Sequence, residues 1–236
     1  MKVVKSPNFD ERQNGKIKYL ILHYTGMATG KEALERLCSK EAKVSAHYLI
    51  EEDGEIFLLV NEEKRAWHAG ISKWEDDVGL NDLSIGIEIV NSGHPYPGYE
   101  SVYKPFPEAQ MKSVISLSKD IIKRHQIKPW HVLGHSDIAW RRKIDPGELF
   151  DWESLSKEGI GVWVTKDKDI LIEKENANDF LKNLSKYGYD IDGVDGNTSE
   201  ITTAFQRHFR PSNIDGNIDR ETYKILENLL EQKSNL

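Results

Sequence analysis

Apolar residues along this chain fall into blocks of two kinds, short β-rich runs and longer stretches with helical spacing. "KYLILHYTG" (18–26) is an almost unbroken apolar run closed by Gly26, which predicts a strand running out into a loop. "KEALERLCSKE" (31–41) predicts a short amphipathic helix. In "SAHYLIEEDGEIFLLV", Asp53-Gly54 separates two apolar runs, the signal of a hairpin. "LSIGIEIVNSG" (83–93) alternates apolar residues with Ser84, Gly86, Glu88 and Asn91 and reads as a further strand.

Pro107 opens the longest helical stretch, with Met111, Val114, Ile115, Ser118, Ile121 and Ile122 on one face. "WHVLGHSD" follows as a strand leaving the sheet. Strands mixed with helices in this way predict an α/β domain with helices packed against a central sheet. It should close after "GIGVW", giving bounds of 1–163. The polar "VTKDKD" opens a linker over 164–170, and residues 171–236 form a small all-helical domain with segments near 175–187, 198–209 and 220–232. Two of its loops, "DGVDGNTSEIT" and "DGNIDRET", resemble each other. A calcium loop needs glycine sixth and glutamate twelfth. Counting from Asp190 puts Asp195 sixth and counting from Asp215 puts Arg220 there, so turn chemistry and helix capping explain both loops.

Composition changes this picture little. The 236 residues are 30% charged and carry a net charge of -7, with no basic run beyond Arg141-Arg142-Lys143, which argues against nucleic acid as a partner. The single cysteine, Cys38, excludes an internal disulfide and a multi-cysteine zinc site, and its helical stripe predicts a buried thiol. No apolar stretch has the length of a transmembrane helix. The opening "MKVVKSPNFDERQNG" has no apolar signal core, which fits a cytoplasmic protein or one whose export segment lies outside this sequence.

Candidate chemistry gathers in "GHSDIAWRRKIDPG" (134–147). A catalytic zinc needs three protein ligands and one open position. His23 and His135 at two strand ends, with Asp145 on the following loop, would satisfy that count; a structural role for each histidine is the competing reading. His131 lies in strand-like sequence, and the chain has no HExxH, so His131 is expected to be structural. Glu88 sits among isoleucines, where a carboxylate is costly unless it is used or paired; Gly86 and Ser84 share its face and leave room above it. An outward-facing glutamate is the alternative. Lys143 could stabilise an oxyanion or be a solvated charge. His47, Trp67, His68 and Trp74 form an aromatic and imidazole group suited to sugar or peptide binding, or to packing a long loop.

Taken in order, "LILHYTG", "SAHYLIEEDGEI", "RAWHAG", "SIGIEIVN" and "GHSDIAWRRKIDPG" closely resemble the zinc-dependent N-acetylmuramoyl-L-alanine amidases of the type-2 family, over about residues 17–152. The fold implied is that of phage T7 lysozyme and the peptidoglycan recognition proteins. The resemblance is to the AmpD and AmiD branch, whose third ligand is an aspartate where the lysozyme branch has a cysteine. It implies one zinc per chain held by His23, His135 and Asp145, Glu88 as the catalytic acid–base group and Lys143 as the oxyanion-stabilising lysine. His47 and Tyr48 match a pair lining the cleft, and Trp67 and His68 join them as expected substrate contacts. The substrate implied is peptidoglycan or its muropeptides, both 1,6-anhydro and intact, cut between N-acetylmuramic acid and L-alanine. A cytoplasmic recycling amidase, a stem-peptide peptidase and a non-catalytic peptidoglycan-binding protein are the rivals. The tail resembles a peptidoglycan-binding module, although "RPSNIDG" replaces the usual Gly-Leu step before its second Asp-Gly. Such a tail favours the cell envelope, which is the expected location.

Overall fold

The computed structural model describes residues 1–13, 15–164 and 176–235. All but the first residue of the linker expected over 164–170 lies outside them. The chain begins with β1 (Lys2–Val3), β2 (Phe9–Glu11), β3 (Tyr19–Tyr24) and α1 (Gly30–Cys38). It continues through β4 (Tyr48–Ile50), β5 (Ile56–Leu58), β6 (Lys64–Ala66), β7 (Lys73–Trp74), β8 (Asp77–Val78) and β9 (Ser84–Ile89). Then come α2 (Glu108–His125), β10 (Val132–Gly134), α3 (His135–Ile138) and α4 (Trp152–Lys157).

Six strands form a mixed sheet in the order β1-β5-β4-β9-β3-β10, and helices pack against it. Only the β4–β5 hairpin is antiparallel within it. Gly54, at φ 88°, makes the hairpin turn, and Asp53 Oδ1 accepts the Glu55 N–H at 2.9 Å. The central strands β3 and β9 are covered on both faces, which is why their sequences read as apolar runs. One face, with Leu20, Leu22, Ile85 and Ile87, packs against α2. The buried line of α2 runs through Gln110, Val114, Leu117, Ser118 and Ile121, while Met111, Ile115 and Ile122 flank it. Gln110 Nε2 donates to the carbonyls of Ile50 and Val90, tying the helix to the ends of β4 and β9.

Two details depart from the sequence reading. The strand expected through Asp137 stops at Gly134, and His135 opens the single helical turn α3. Asp137 Oδ2 accepts the Gly134 N–H at 2.7 Å and so caps that turn. Cys38 is half-buried rather than buried, because it is the last residue of α1.

The tail forms α5 (Ala177–Tyr187), α6 (Ser199–Phe209) and α7 (Arg220–Asn235), close to the expected segments. Side-chain cations answer the carboxylates of its two similar loops. Lys73 and Arg141 pair with Asp190 at 3.0 and 2.8 Å, and the buried Arg210 pairs with Asp215 and Asp219 at 3.0 and 2.6 Å. The second face of the sheet, with Tyr19, Ile21 and Leu133, shares one core with Phe180, Leu184, Phe205 and Leu226 of the tail. Trp74 is fully buried there, edge-on to Tyr187 and Tyr189, and a Cβ on Gly188 would overlap its ring. Among the described residues, no helix is long and apolar enough to cross a membrane.

Because Trp74 is buried where sheet and tail share this core, Trp74→Ala should cost about 3–5 kcal/mol in denaturant unfolding. Calorimetry of the unmodified chain should show one transition; two separate transitions would mean that sheet and tail do not unfold as one core.

Candidate metal centre

Strand register assembles the site. The parallel pairing of β3 with β9 sets His23 beside Glu88, and β4 sets Leu49 on the far side of Glu88. Next to β3, Gly134 pairs with Leu22, so His135 follows at the level of His23. The loop after α3 brings back Asp145, whose carbonyl accepts the Ser136 N–H at 2.8 Å. His23 Nδ1, His135 Nδ1 and Asp145 Oδ2 then form a triangle with sides of 2.9, 3.0 and 3.1 Å. All three residues are buried.

Hydrogen bonds behind this triangle decide where its protons lie. The Leu80 carbonyl can only accept, so the Ser84 hydroxyl donates to it at 2.6 Å. Ser84 Oγ therefore accepts from His68 Nε2 at 3.1 Å, which leaves His68 Nδ1 bare. His68 Nδ1 lies 3.0 Å from His23 Nε2 and accepts its proton, leaving His23 Nδ1 bare in turn. Burial holds the His68 ring well below the usual imidazole range. Burial, with the neighbouring His135, lowers His23 to about 4. Both rings are thus neutral near pH 7. His135 Nε2 donates to the Ala69 carbonyl at 3.1 Å, so its Nδ1 is the free ring position.

Burial by itself would raise the Asp145 carboxyl, and only positive charge on its His23 and His135 side holds it below the usual carboxylate range; between two bare ring nitrogens that charge has to come from a cation. Three acceptor atoms therefore converge with no proton among them. A cation resolves that repulsion, and atoms at these separations can all lie about 2.0–2.1 Å from one point, the spacing of zinc ligands. The donor set fits a metal. It also has the backing expected of one, since each imidazole gives its other N–H to a fixed acceptor.

These atoms form part of the wall of a cavity of about 500 Å³ that Glu88, Lys143, Trp67 and His68 also line. Burial, and then the Asp145 charge, pushes the Glu88 carboxyl well above the usual carboxylate range. Its Oε2 is buried without a hydrogen-bond partner.

Not every expected contact reaches this cavity. His47 is fully buried: its Nδ1 accepts the Gly86 N–H at 3.0 Å and its Nε2 donates to the Lys64 carbonyl at 3.1 Å. Tyr48 points into the core beneath α2, its hydroxyl donating to Glu62 at 2.7 Å. Both are packed within the protein and do not line the cavity, a correction to their expected cleft position. His68 does line the cavity, with its ring held behind His23. The room above Gly86 belongs to that ring, which a Cβ on Gly86 would overlap. Trp74 lies in the core, and His131 is structural as expected, bonded to Glu75 at 3.1 Å. Sequence reasoning missed Tyr24, His94 and Tyr96 in the cavity wall, although Tyr24 adjoins His23.

Known proteins carry the same arrangement of chain. Residues 13–148 match the N-acetylmuramoyl-L-alanine amidase family. The chain is similar to N-acetylmuramoyl-L-alanine amidase AmiD of Escherichia coli, 40% identical over 92% of this chain and 83% of that protein. It is also similar to 1,6-anhydro-N-acetylmuramyl-L-alanine amidase AmpD of Haemophilus influenzae, 36% identical over 64% of this chain and 87% of the relative. Among solved structures, Escherichia coli AmiD bound to anhydro-N-acetylmuramic acid-L-Ala-D-gamma-Glu-L-Lys superposes with a TM-score of 0.82 at 36% identity, over 95% of this chain and 98% of that one. AmpDh3 of Pseudomonas aeruginosa with an anhydromuramic pentapeptide gives 0.83 at 36% identity over 94% of each chain. The matched span holds His23, Glu88, His135, Lys143 and Asp145 together and covers more than half of the sequence, so the chain belongs to the N-acetylmuramoyl-L-alanine amidase family.

Proposed function

We propose that this chain is a zinc-dependent amidase that hydrolyses the bond between N-acetylmuramic acid and L-alanine in muropeptides, anhydro and intact. The observation that carries the reading is the convergence of three bare acceptor atoms, His23 Nδ1, His135 Nδ1 and Asp145 Oδ2, in a cavity that also holds Glu88. One zinc per chain, held by those three residues, would polarise the amide carbonyl and make water acidic enough to attack near neutral pH.

The chain's own groups supply the proton transfers and the positioning. Glu88, raised by burial and beside Asp145, is suited to take a proton from the attacking water and deliver it to the leaving amide nitrogen. The Lys143 ammonium, in the same cavity wall, would stabilise negative charge growing on the carbonyl oxygen. Trp67 offers an apolar face to the substrate. His68 serves better as the support of His23 than as a substrate contact.

Residues 1–163 form the catalytic unit in this reading and 171–236 a helical unit that also meets peptidoglycan. The AmpD match spans 64% of the chain and the AmiD match 92%, which supports a role closer to AmiD and a place in the cell envelope.

Mass spectrometry of anhydro and intact muropeptides incubated with the protein should find free peptides beginning with L-alanine, and chelation should abolish them. Cleavage elsewhere in the stem, or none by the folded, metal-loaded protein, would refute the reading. Asp145→Ala should lose both metal and activity. Glu88→Gln should keep the metal and lose on the order of 10² to 10⁴ in rate. Gly86→Ala should displace His68, free the His23 ring and weaken metal binding by about 10- to 100-fold in a chelator competition. Unchanged affinity there would show that the His68 relay is dispensable.

A further inference from the structure

The helical tail sends two polar side chains into the protein that the reaction does not use, and both end on one carboxylate. Asp137 is fully buried. Its Oδ2 accepts from His208 Nδ1 at 2.7 Å and from the Gly134 N–H at 2.7 Å, and its Oδ1 accepts from the Tyr189 hydroxyl at 2.6 Å. Gly134 and Asp137 bracket the ligand His135. The His208 ring is itself held, stacked on Trp152 at 3.9 Å between centroids.

The neighbouring residue of α6 reaches the other end of the same loop. Arg207 Nε lies 3.7 Å from Glu148, three residues beyond the ligand Asp145. Glu148 also bonds His94 Nε2 at 3.0 Å, and His94 Nδ1 meets the Tyr24 hydroxyl at 3.1 Å. His94 and Tyr24 are cavity wall. Between the two ends, Trp140 Nε1 donates to the Asp190 carbonyl at 2.8 Å and Arg141 pairs with the Asp190 carboxylate at 2.8 Å. The segment 135–148, carrying two metal ligands and Lys143, is therefore bonded to the tail near its start and at its middle, and faces the Arg207 charge at its end.

A module that only met an external polymer would need none of these bonds. A carboxylate taken fully out of water is costly unless donors surround it, and two of the three donors to Asp137 come from the tail. Metal ligands must be held to within about 0.5 Å of working geometry, and loops provide that only when their support is locked. We propose that the C-terminal helical unit is a positioning element of the metal centre: Tyr189 and His208 fix Asp137 and hence His135, while Asp190 holds Trp140 and Arg141 and so the loop that returns through Asp145. This rests on the metal reading above.

The test uses the full-length chain loaded with zinc, with His208→Ala and Tyr189→Phe as variants. Zinc loss to a chromogenic chelator is timed, and kcat and KM are measured on a soluble anhydromuramyl tripeptide, which has no glycan strand for a wall-binding surface to hold. The visible spectrum of the cobalt(II)-substituted protein reports ligand geometry. His208→Ala should shed zinc on the order of 10- to 100-fold faster, with kcat reduced, KM little changed and the cobalt bands shifted. Tyr189→Phe, which removes one oxygen and preserves packing, should move all three the same way by less, and it decides the matter if His208→Ala does not fold. Folded variants with zinc loss, kcat and cobalt bands like those of the unmodified chain would overturn the positioning role while leaving the amidase reading intact. Failure of the unmodified chain to hold zinc would overturn both.

Discussion

The register between β3 and its two neighbours is the constraint on which the site depends. Parallel pairing puts His23 level with Glu88 on one side and one residue past the Gly134–Leu22 pair on the other. Side chains alternate across a sheet, so a slip of one residue would turn His23 into the core beneath α2 and bring Leu22 to the cavity. The buried contacts on both faces of β3 and β9 hold that register. Packing thus does chemical work here, because the apolar residues determine which polar atoms meet.

What they bring together would repel if left alone. The Leu80 carbonyl sets the Ser84 hydroxyl, which sets His68, which sets His23, and the Ala69 carbonyl sets His135. His23 and His135 each leave Nδ1 facing the Asp145 carboxylate. Buried polar groups are costly unless satisfied, and this network is satisfied everywhere except at the point where a cation would lie. Glu88, adjacent and without a partner on Oε2, is the second unsatisfied group in the same cavity. The amidase reading accounts for both with one reaction.

Much of this was legible in the sequence, and the exceptions share a cause. Apolar runs located β3 and β9, Asp53-Gly54 located the hairpin, and the ligand loop stood out by its own residues. Gly86 reads as a small residue that leaves room, yet which ring fills the space above it depends on a loop 18 residues earlier. His47 and Tyr48 carried the family pattern, but what covers them comes from distant segments: Gly86 and Lys64 enclose His47, and α2 covers Tyr48. The tail's helices showed in their periodicity, whereas its bonds to Asp137 span 52 and 71 residues and leave no local trace. Contacts between distant segments fix the exact roles, and a single sequence displays only the segments.

The central claim is that His23, His135 and Asp145 hold one metal ion through two imidazole nitrogens and a carboxylate oxygen. X-ray absorption at the zinc edge, combined with metal analysis of the purified protein, tests it most directly. The account predicts one zinc per chain with only nitrogen and oxygen neighbours at about 2.0–2.1 Å. A sulfur neighbour at about 2.3 Å, which only Cys38 or a methionine could supply, or a folded protein that takes up no zinc, would contradict it.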